Sequence, residues 1–158
     1  MYQVYGWDAT QYSLINAISS FIHPITMTFA VMILIKKLKL DDINLSIIGM
    51  TGLIFGYIIR GSTKSPIGYY ISVLLASIGS VVTIGMRSKL SKIVNKNELG
   101  KVFSLVSTFE TIAPTISSLI YTFIFSFSIN IYPGLVFHFS ALFLIIPIVS
   151  MMWINFRI

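Results

Sequence analysis

Residues 66–86 read PIGYYISVLLASIGSVVTIGM and contain no charged side chain. A helix that crosses a bilayer needs about 20 consecutive, mostly apolar residues, and this stretch is long enough. A strand in the core of a soluble domain would be shorter. Pro66 stands at the first helical turn, a position that proline favours. The stretch therefore predicts a transmembrane helix.

The composition of the whole chain agrees with this interpretation. The 158 residues are 56% hydrophobic and 10% charged, whereas a soluble domain is about 25% charged. A soluble globular domain and a disordered chain are therefore both excluded. Cysteine is absent, which excludes a disulfide framework, thiolate metal ligands and a cysteine nucleophile.

Four further apolar stretches have the same character as residues 66–86. The sequence predicts an all-α membrane protein with five transmembrane helices, at residues 12–35, 43–60, 66–86, 101–127 and 134–153. Short connections predict antiparallel neighbours that pack together, and prolines inside the last two stretches predict kinks there.

The positions of the basic residues predict the orientation. Most of them lie at 36–39, at 87–101 and at Arg157, whereas only Arg60 and Lys64 lie in the other loops. The positive-inside rule then places the 36–39 loop, the 87–101 loop and the C-terminus in the cytoplasm. Five helices require the N-terminus to lie outside.

Small residues recur on two of the predicted helices. Gly52 and Gly56 form a GxxxG pattern with Gly49 one turn earlier, and a second row of small residues follows residues 68–80. Small residues let membrane helices approach closely. Two interpretations remain open, which are contact inside one bundle and a seam between two copies.

Polar side chains form a row along two other helices. Asn16, Ser20 and His23 share one face of the first helix, and Ser107 and Glu110 belong to a similar row on the fourth. A polar row in a lipid-spanning helix should face protein or water. Hydrogen bonding between helices and a water-filled cavity both fit this pattern.

Two titratable residues fall near the middle of their helices. Glu110 is the only acidic residue inside any predicted span, so we expect it to be protonated, paired or wetted by a cavity. His23 precedes Pro24 and can carry a proton near neutral pH. Each is a candidate for a proton pathway, and the alternative is a structural hydrogen-bonding role.

Motifs of catalysis and cofactor binding are absent from the sequence. It contains no phosphate-binding glycine loop, no HExxH, no GxSxG and no dinucleotide fingerprint. The two histidines make no metal site by spacing, and the basic loop has no aromatic residues for stacking on bases. We expect no enzyme activity, no cofactor, no metal and no nucleic-acid partner.

The stretch RSKLSKIVNKNELGKVF, at Arg87–Phe103, resembles the loop between the tenth and eleventh helices of the proton-coupled folate transporter family, in the major facilitator superfamily. Tyr5–Asp8 resembles that family's external stretch before its eighth helix. The KKLKLDD run at Lys36–Asp42 resembles its loop between helices eight and nine.

This resemblance implies helices eight to twelve of a twelve-helix transporter, without helix seven and the N-terminal half. It implies alternating-access transport of an anionic, folate-like or peptide-like solute with protons, in the plasma membrane or in a lysosomal or endosomal membrane. Arg87 matches an arginine implicated in substrate and proton handling; the alternative is a charge anchor that pairs with Glu98 or caps a helix.

The sequence therefore fits three functions. The first is part of a transporter whose half-cavity is lined by His23, Asn16 and Glu110, with membrane lipid, a small organic solute and protons as partners. The second is a truncated product that does not transport. The third is a structural or regulatory membrane protein that dimerises through its glycine faces.

Overall fold

The structure, a computed structural model, describes the backbone of residues 5–157 and the side chains of residues 5–156. It contains five long apolar helices: α1 Ala9–Lys37, α2 Asp42–Ser62, α3 Pro66–Ile93, α4 Leu99–Ser128 and α5 Leu135–Phe156. Within this described range there is no β-strand. The prediction of an all-α membrane protein with five helices is confirmed. The two chain termini, for which the charges predict opposite sides of the membrane, lie outside the described residues.

Local sequence signals account for the starts of α1 and α3. Asp8 caps α1 by accepting a hydrogen bond from the backbone N–H of Ala9, and Gln11 completes a reciprocal capping box. Ser65 caps α3 by accepting from the N–H of Gly68, with Pro66 in the first turn. These caps satisfy backbone donors that the helix itself leaves free.

Two of the five helices are interrupted. The regular helix of α5 breaks between Phe143 and Ile145. A proline ring inside a helix clashes with the carbonyl group of the residue four positions earlier, and for Pro147 that residue is Phe143. α3 breaks at Gly79 without a proline, and a Cβ there would collide with the side chain of Leu53. α4, in contrast, continues through Pro114. The structure therefore shows a helix break near Pro147, where a kink is predicted. It shows no break at Pro114, the other predicted kink.

α2 is the centre of the bundle. It packs along α3 and against α5, whereas α1 packs mainly on α3 and α4 mainly on the first part of α5. Helices that follow each other in the chain are therefore not always main neighbours, contrary to the expectation from the short connections. Most large apolar side chains on α1 and α4 are exposed, as expected for surfaces that face lipid.

The glycines of α2 face the small residues of α3. A Cβ at Gly52 would lie 2.9 Å from the carbonyl oxygen of Leu75, and one at Gly56 would lie 3.0 Å from that of Ser72. Gly49, Gly52 and Gly56 are all buried. The GxxxG pattern therefore serves contact within one chain, which is the first of the two interpretations.

The segment before α1 packs onto the ends of α2 and α3. The rings of Tyr5 and Trp7 stack with centroids 4.3 Å apart, and both meet Tyr69 edge-on. The Tyr5 hydroxyl donates to the carbonyl oxygen of Arg60 at 2.8 Å, and the Arg60 guanidinium lies 5.0 Å from the centre of the Tyr69 ring. This aromatic cluster covers one end of the bundle.

Candidate functional site: an apolar cavity with an ion pair

α3 continues beyond Met86, where the apolar stretch ends, as far as Ile93. The polar interruption after Met86 is therefore partly helical, with a physical reason: Val82, Met86 and Leu90 continue one apolar face with a spacing of four residues. The helix is amphipathic here, so its mean hydropathy falls although its structure does not end. Arg87 consequently lies within a helix and not in a loop.

This amphipathic end of α3 borders a cavity of about 540 Å³. The cavity lies among α2, α3, α4 and α5. The cavity is lined mostly by apolar side chains, together with four charged ones: Asp42, Ile43, Val82, Thr83, Met86, Arg87, Lys89, Leu90, Ile93, Val106, Glu110, Met151 and Ile154. Its volume falls in the range of small-molecule sites, about 300–1,000 Å³.

Arg87 and Glu110 form an ion pair in the wall of this cavity. The Nη2 atom of Arg87 donates to the Oε2 atom of Glu110 at 2.5 Å. Each side chain is about half exposed, at 47% and 46%. Of the states expected for Glu110, the structure shows the paired one. Arg87 pairs with Glu110 and not with Glu98, the partner considered from the sequence.

A second ion pair, beside the same cavity, joins α3 to α2. The Nζ atom of Lys92 donates to the Oδ2 atom of Asp42 at 2.5 Å, which ties the end of α3 to the start of α2. Lys89 contributes a further positive charge to the lining. With all groups ionised, Arg87, Lys89 and Lys92 face two carboxylates, so this region carries an excess positive charge.

His23 and the polar row of α1 lie elsewhere. The Nε2 atom of His23 is 3.5 Å from the Oγ atom of Ser80, at the contact between α1 and α3. Asn16 and Ser20 are exposed, and the Ser20 hydroxyl donates to the carbonyl oxygen of Asn16. None of these three residues lines the cavity. The structure therefore does not bring His23 and Asn16 together with Glu110.

The hydroxyl groups of α4 bond to their own helix. Thr108 donates to the carbonyl oxygen of Ser104, and Thr111 donates to that of Ser107. Ser107 is exposed and does not line the cavity, although it lies one turn from Glu110. Interhelical hydrogen bonding accounts for Glu110 in this row, through Arg87 of α3, whereas Thr108 and Thr111 bond within their own helix.

Sequence reasoning missed the apolar walls and the two charged residues beside the ion pair. The sequence pattern places Asp42 and Lys89 in loops and ends the third helix at Met86, before the wall residues Leu90 and Ile93. The signal was present as apolar residues at positions 82, 86, 90 and 93, which follow helical spacing. A test of periodicity, rather than mean hydropathy, would have found it.

The chain is similar to a "Lysosomal proton-coupled steroid conjugate and bile acid symporter SLC46A3" of Mus musculus, with 30% identity over 113 residues. This alignment covers 71% of the chain and 24% of that relative. The proteins of the same name from Rattus norvegicus and Gallus gallus are each 29% identical, over 113 and 116 residues. The alignments thus span about a quarter of the length of these curated relatives. No protein-family profile and no solved structure matches the chain.

These relatives are SLC46 family transporters and not enzymes. They support the family to which the Arg87–Phe103 stretch points, and they support a transporter in general. Their names indicate steroid conjugates and bile acids, and they do not support a folate-like or peptide-like solute.

Proposed function

We propose that this chain is part of a proton-coupled SLC46 family transporter and supplies helices eight to twelve of a major facilitator fold. The observation that carries the proposal is the cavity of about 540 Å³ with apolar walls and the Arg87–Glu110 ion pair. In this proposal the cavity is the solute site. The membrane is lysosomal or endosomal, by similarity to the relatives.

The chemistry of the lining favours an amphipathic organic anion. Most lining residues are aliphatic or methionine side chains, which gain free energy from covering an apolar body. Arg87 offers a planar guanidinium that matches a carboxylate, sulfate or sulfonate group. A folate-like or peptide-like solute presents many polar edges, and these would lose their hydrogen bonds to water against such walls.

In this proposal Glu110 is the proton carrier, and His23 is the second candidate. Glu110 lies in the cavity wall next to the anion-binding group, so proton binding and solute binding meet at one place. His23 lies at the contact of α1 with α3, where its charge would act on packing between helices. Asn16, Ser20 and Ser107 are exposed polar residues that would contribute a hydrophilic surface.

The exposed faces of α1 and α4 support a larger assembly. In the most apolar 18-residue stretch of each helix, only 6% of the residues are buried. Both helices nevertheless also expose rows of polar side chains. A polar row should not face lipid, so these faces fit a second transporter half that would complete a water-filled path. Alternating access requires two halves that move about a shared site.

The dimeric structural protein is less well supported. Its seam would use the glycine face of α2, and that face packs against α3 of the same chain.

Binding of a bile-acid conjugate tests the proposed site directly. We expect taurocholate to bind the purified chain in lipid nanodiscs, and the uncharged bile alcohol with the same ring system to bind more weakly. Met86→Trp should fill the cavity and abolish binding, whereas Ile131→Trp, in the exposed α4–α5 loop, should not. Equal binding to both variants, or to empty nanodiscs, would refute this site.

A further inference from the structure

We propose that Arg60 is the centre of an oxyanion-binding site at the end of the bundle where α2 ends and α3 begins. Its ligand is a phosphate ester, and two sources present that chemistry: the head group of an anionic lipid and a water-soluble phosphate ester. The cavity is lined by the start of α2 and the second part of α3, so the site at Arg60 is independent of the proposed solute site.

The guanidinium of Arg60 is held in place by neutral groups. Its Nε atom donates to the Oγ atom of Ser72 at 3.2 Å, and Ser72 is fully buried. Its Cζ atom lies 5.0 Å from the centre of the Tyr69 ring and 6.0 Å from that of Phe137. A cation within about 6 Å of a ring centre is attracted by the π-electrons. These contacts orient the guanidinium without neutralising its charge.

The described residues place no negative charge against this guanidinium. None of their carboxylate oxygens lies within 4.0 Å of its nitrogen atoms. The carboxylate of Asp8, in the segment that packs at this end, caps α1 instead. Burial raises the pKa of Tyr5 in the same segment, so this phenol stays neutral. The positive charge of Arg60 is therefore uncompensated within the described part of the chain, and an anionic ligand would compensate it.

The guanidinium also has unused hydrogen-bond donors. Of the five N–H groups of an arginine, the one on Nε bonds to Ser72. The four on Nη1 and Nη2 have no acceptor among the described residues. Arg60 is partly exposed, so these groups are within reach of a ligand. Their paired geometry matches two oxygen atoms of one phosphate group.

The surroundings favour a lipid head group as the source of the phosphate. Arg60 directly follows the apolar run that ends at Ile59, and the ring of Trp7 lies edge-on to that of Tyr69 beside it. Tryptophan and tyrosine rings gather where a membrane meets water, at the level of the head groups. Lys64, exposed in the connection between α2 and α3, adds a second positive charge at this end. A lipid phosphate at this depth would meet an oriented guanidinium.

A purely structural role for Arg60 is the alternative. The side chain would then join α2 to α3 and α5 through Ser72 and the two rings, and its outer N–H groups would bond only to water. Both roles use the same packing contacts, so a measurement of stability does not separate them. The test has to detect the ligand at this place in the bundle.

Trp7 provides such a local measurement, because its ring centre lies 5.5 Å from that of Tyr69. The chain has two tryptophans, so Trp153→Phe leaves Trp7 as the only one. This background is placed in phosphatidylcholine nanodiscs with a small fraction of phosphatidylglycerol that is brominated close to its head group. Bromine quenches tryptophan fluorescence at short range, and brominated phosphatidylcholine at the same fraction is the reference. We expect stronger quenching by phosphatidylglycerol, with a local preference of about tenfold for the anionic head group.

Three substitutions in this background test the role of the guanidinium. Arg60→Gln should abolish the preference for phosphatidylglycerol. Arg60→Lys should lose most of it, because an ammonium group keeps the charge but not the paired N–H groups. Lys64→Gln, which removes an exposed charge at the same end, should keep the preference. Thermal unfolding identifies a misfolded variant, and Arg60→Lys covers the case in which Arg60→Gln does not fold.

Calorimetric titration with glycerol phosphate in plain phosphatidylcholine nanodiscs separates the two sources. A preference for phosphatidylglycerol without binding of glycerol phosphate assigns the site to a lipid head group. Binding of glycerol phosphate that Arg60→Gln abolishes assigns it to a soluble phosphate ester. The site would be overturned by the absence of both, by a lipid preference that persists in Arg60→Gln or Arg60→Lys, or by one that Lys64→Gln removes equally.

Discussion

The guanidinium of Arg87 lies 2.5 Å from the carboxylate of Glu110, across a sequence separation of 23 residues. The pair connects α3 with α4, two helices whose main packing partners are α2 and α5. It is a polar link across a cavity wall and not part of a packed interface.

The pair should contribute little to stability. Both groups are about half exposed, and exposed ion pairs contribute about 0–1 kcal/mol. We expect Arg87→Gln and Glu110→Gln each to change the unfolding free energy of the chain in detergent by less than about 1 kcal/mol. Denaturant titration of the two single variants and the double variant measures this. A loss well above that range would mean that functional changes in these variants reflect misfolding.

Glu110→Gln should weaken proton coupling in the full-length transporter. Glutamine keeps the size and hydrogen bonding of the side chain but cannot take up a proton. The measurement is solute transport by proteoliposomes against the pH on the luminal side, with equal amounts of wild type and variant reconstituted. Identical pH profiles would remove Glu110 from the coupling mechanism and make His23 the stronger candidate.

Gly52→Ala and Gly56→Ala should destabilise the contact between α2 and α3. The added Cβ atoms would lie 2.9 Å and 3.0 Å from carbonyl oxygens of α3, so a backbone must move. Overpacking of this kind costs about 1–3 kcal/mol. Gly100→Ala is the control, because a Cβ there meets no atom within 4 Å. Thermal unfolding of the three variants checks this, and an equal effect at all three positions would contradict it.

A single cysteine at Lys96 should be labelled only from the cytoplasmic side. This position lies in the connection between α3 and α4, in the region with the most basic residues. The chain contains no cysteine, so labelling by an impermeant maleimide reports one position. A cysteine at Lys64, between α2 and α3, should show the opposite pattern. In sealed membrane vesicles whose cytoplasmic side faces out, labelling of Lys64→Cys but not of Lys96→Cys by the external reagent would reverse the predicted orientation.

The isolated chain should bind solute but not transport it. All the cavity residues belong to this chain, whereas alternating access needs a second half that moves against them. The test is uptake of labelled taurocholate into vesicles that contain only this chain, driven by a pH gradient. Rapid uptake that a proton ionophore abolishes would contradict this expectation and would favour a functional dimer.

The sequence by itself determined the number and type of the helices. Long uncharged stretches such as residues 66–86 have to be helical in lipid, because only a helix satisfies every backbone polar group within one segment. The same sequence pointed to Glu110 as a carboxyl that needs a partner or water, since a lone charge in a bilayer is costly. Both conclusions depend on local composition, which a sequence displays directly.

Only the tertiary structure decided which residues meet. Helix spacing shows that Gly52 and Gly56 share a face, but not whether that face meets α3 or a second copy. Mean hydropathy ended the third helix at Met86 and so placed Arg87 in a loop, where it could not be seen as the partner of Glu110. The cavity is lined by residues of four helices, and their placement comes from side-chain packing between distant segments, which no local pattern in the chain records.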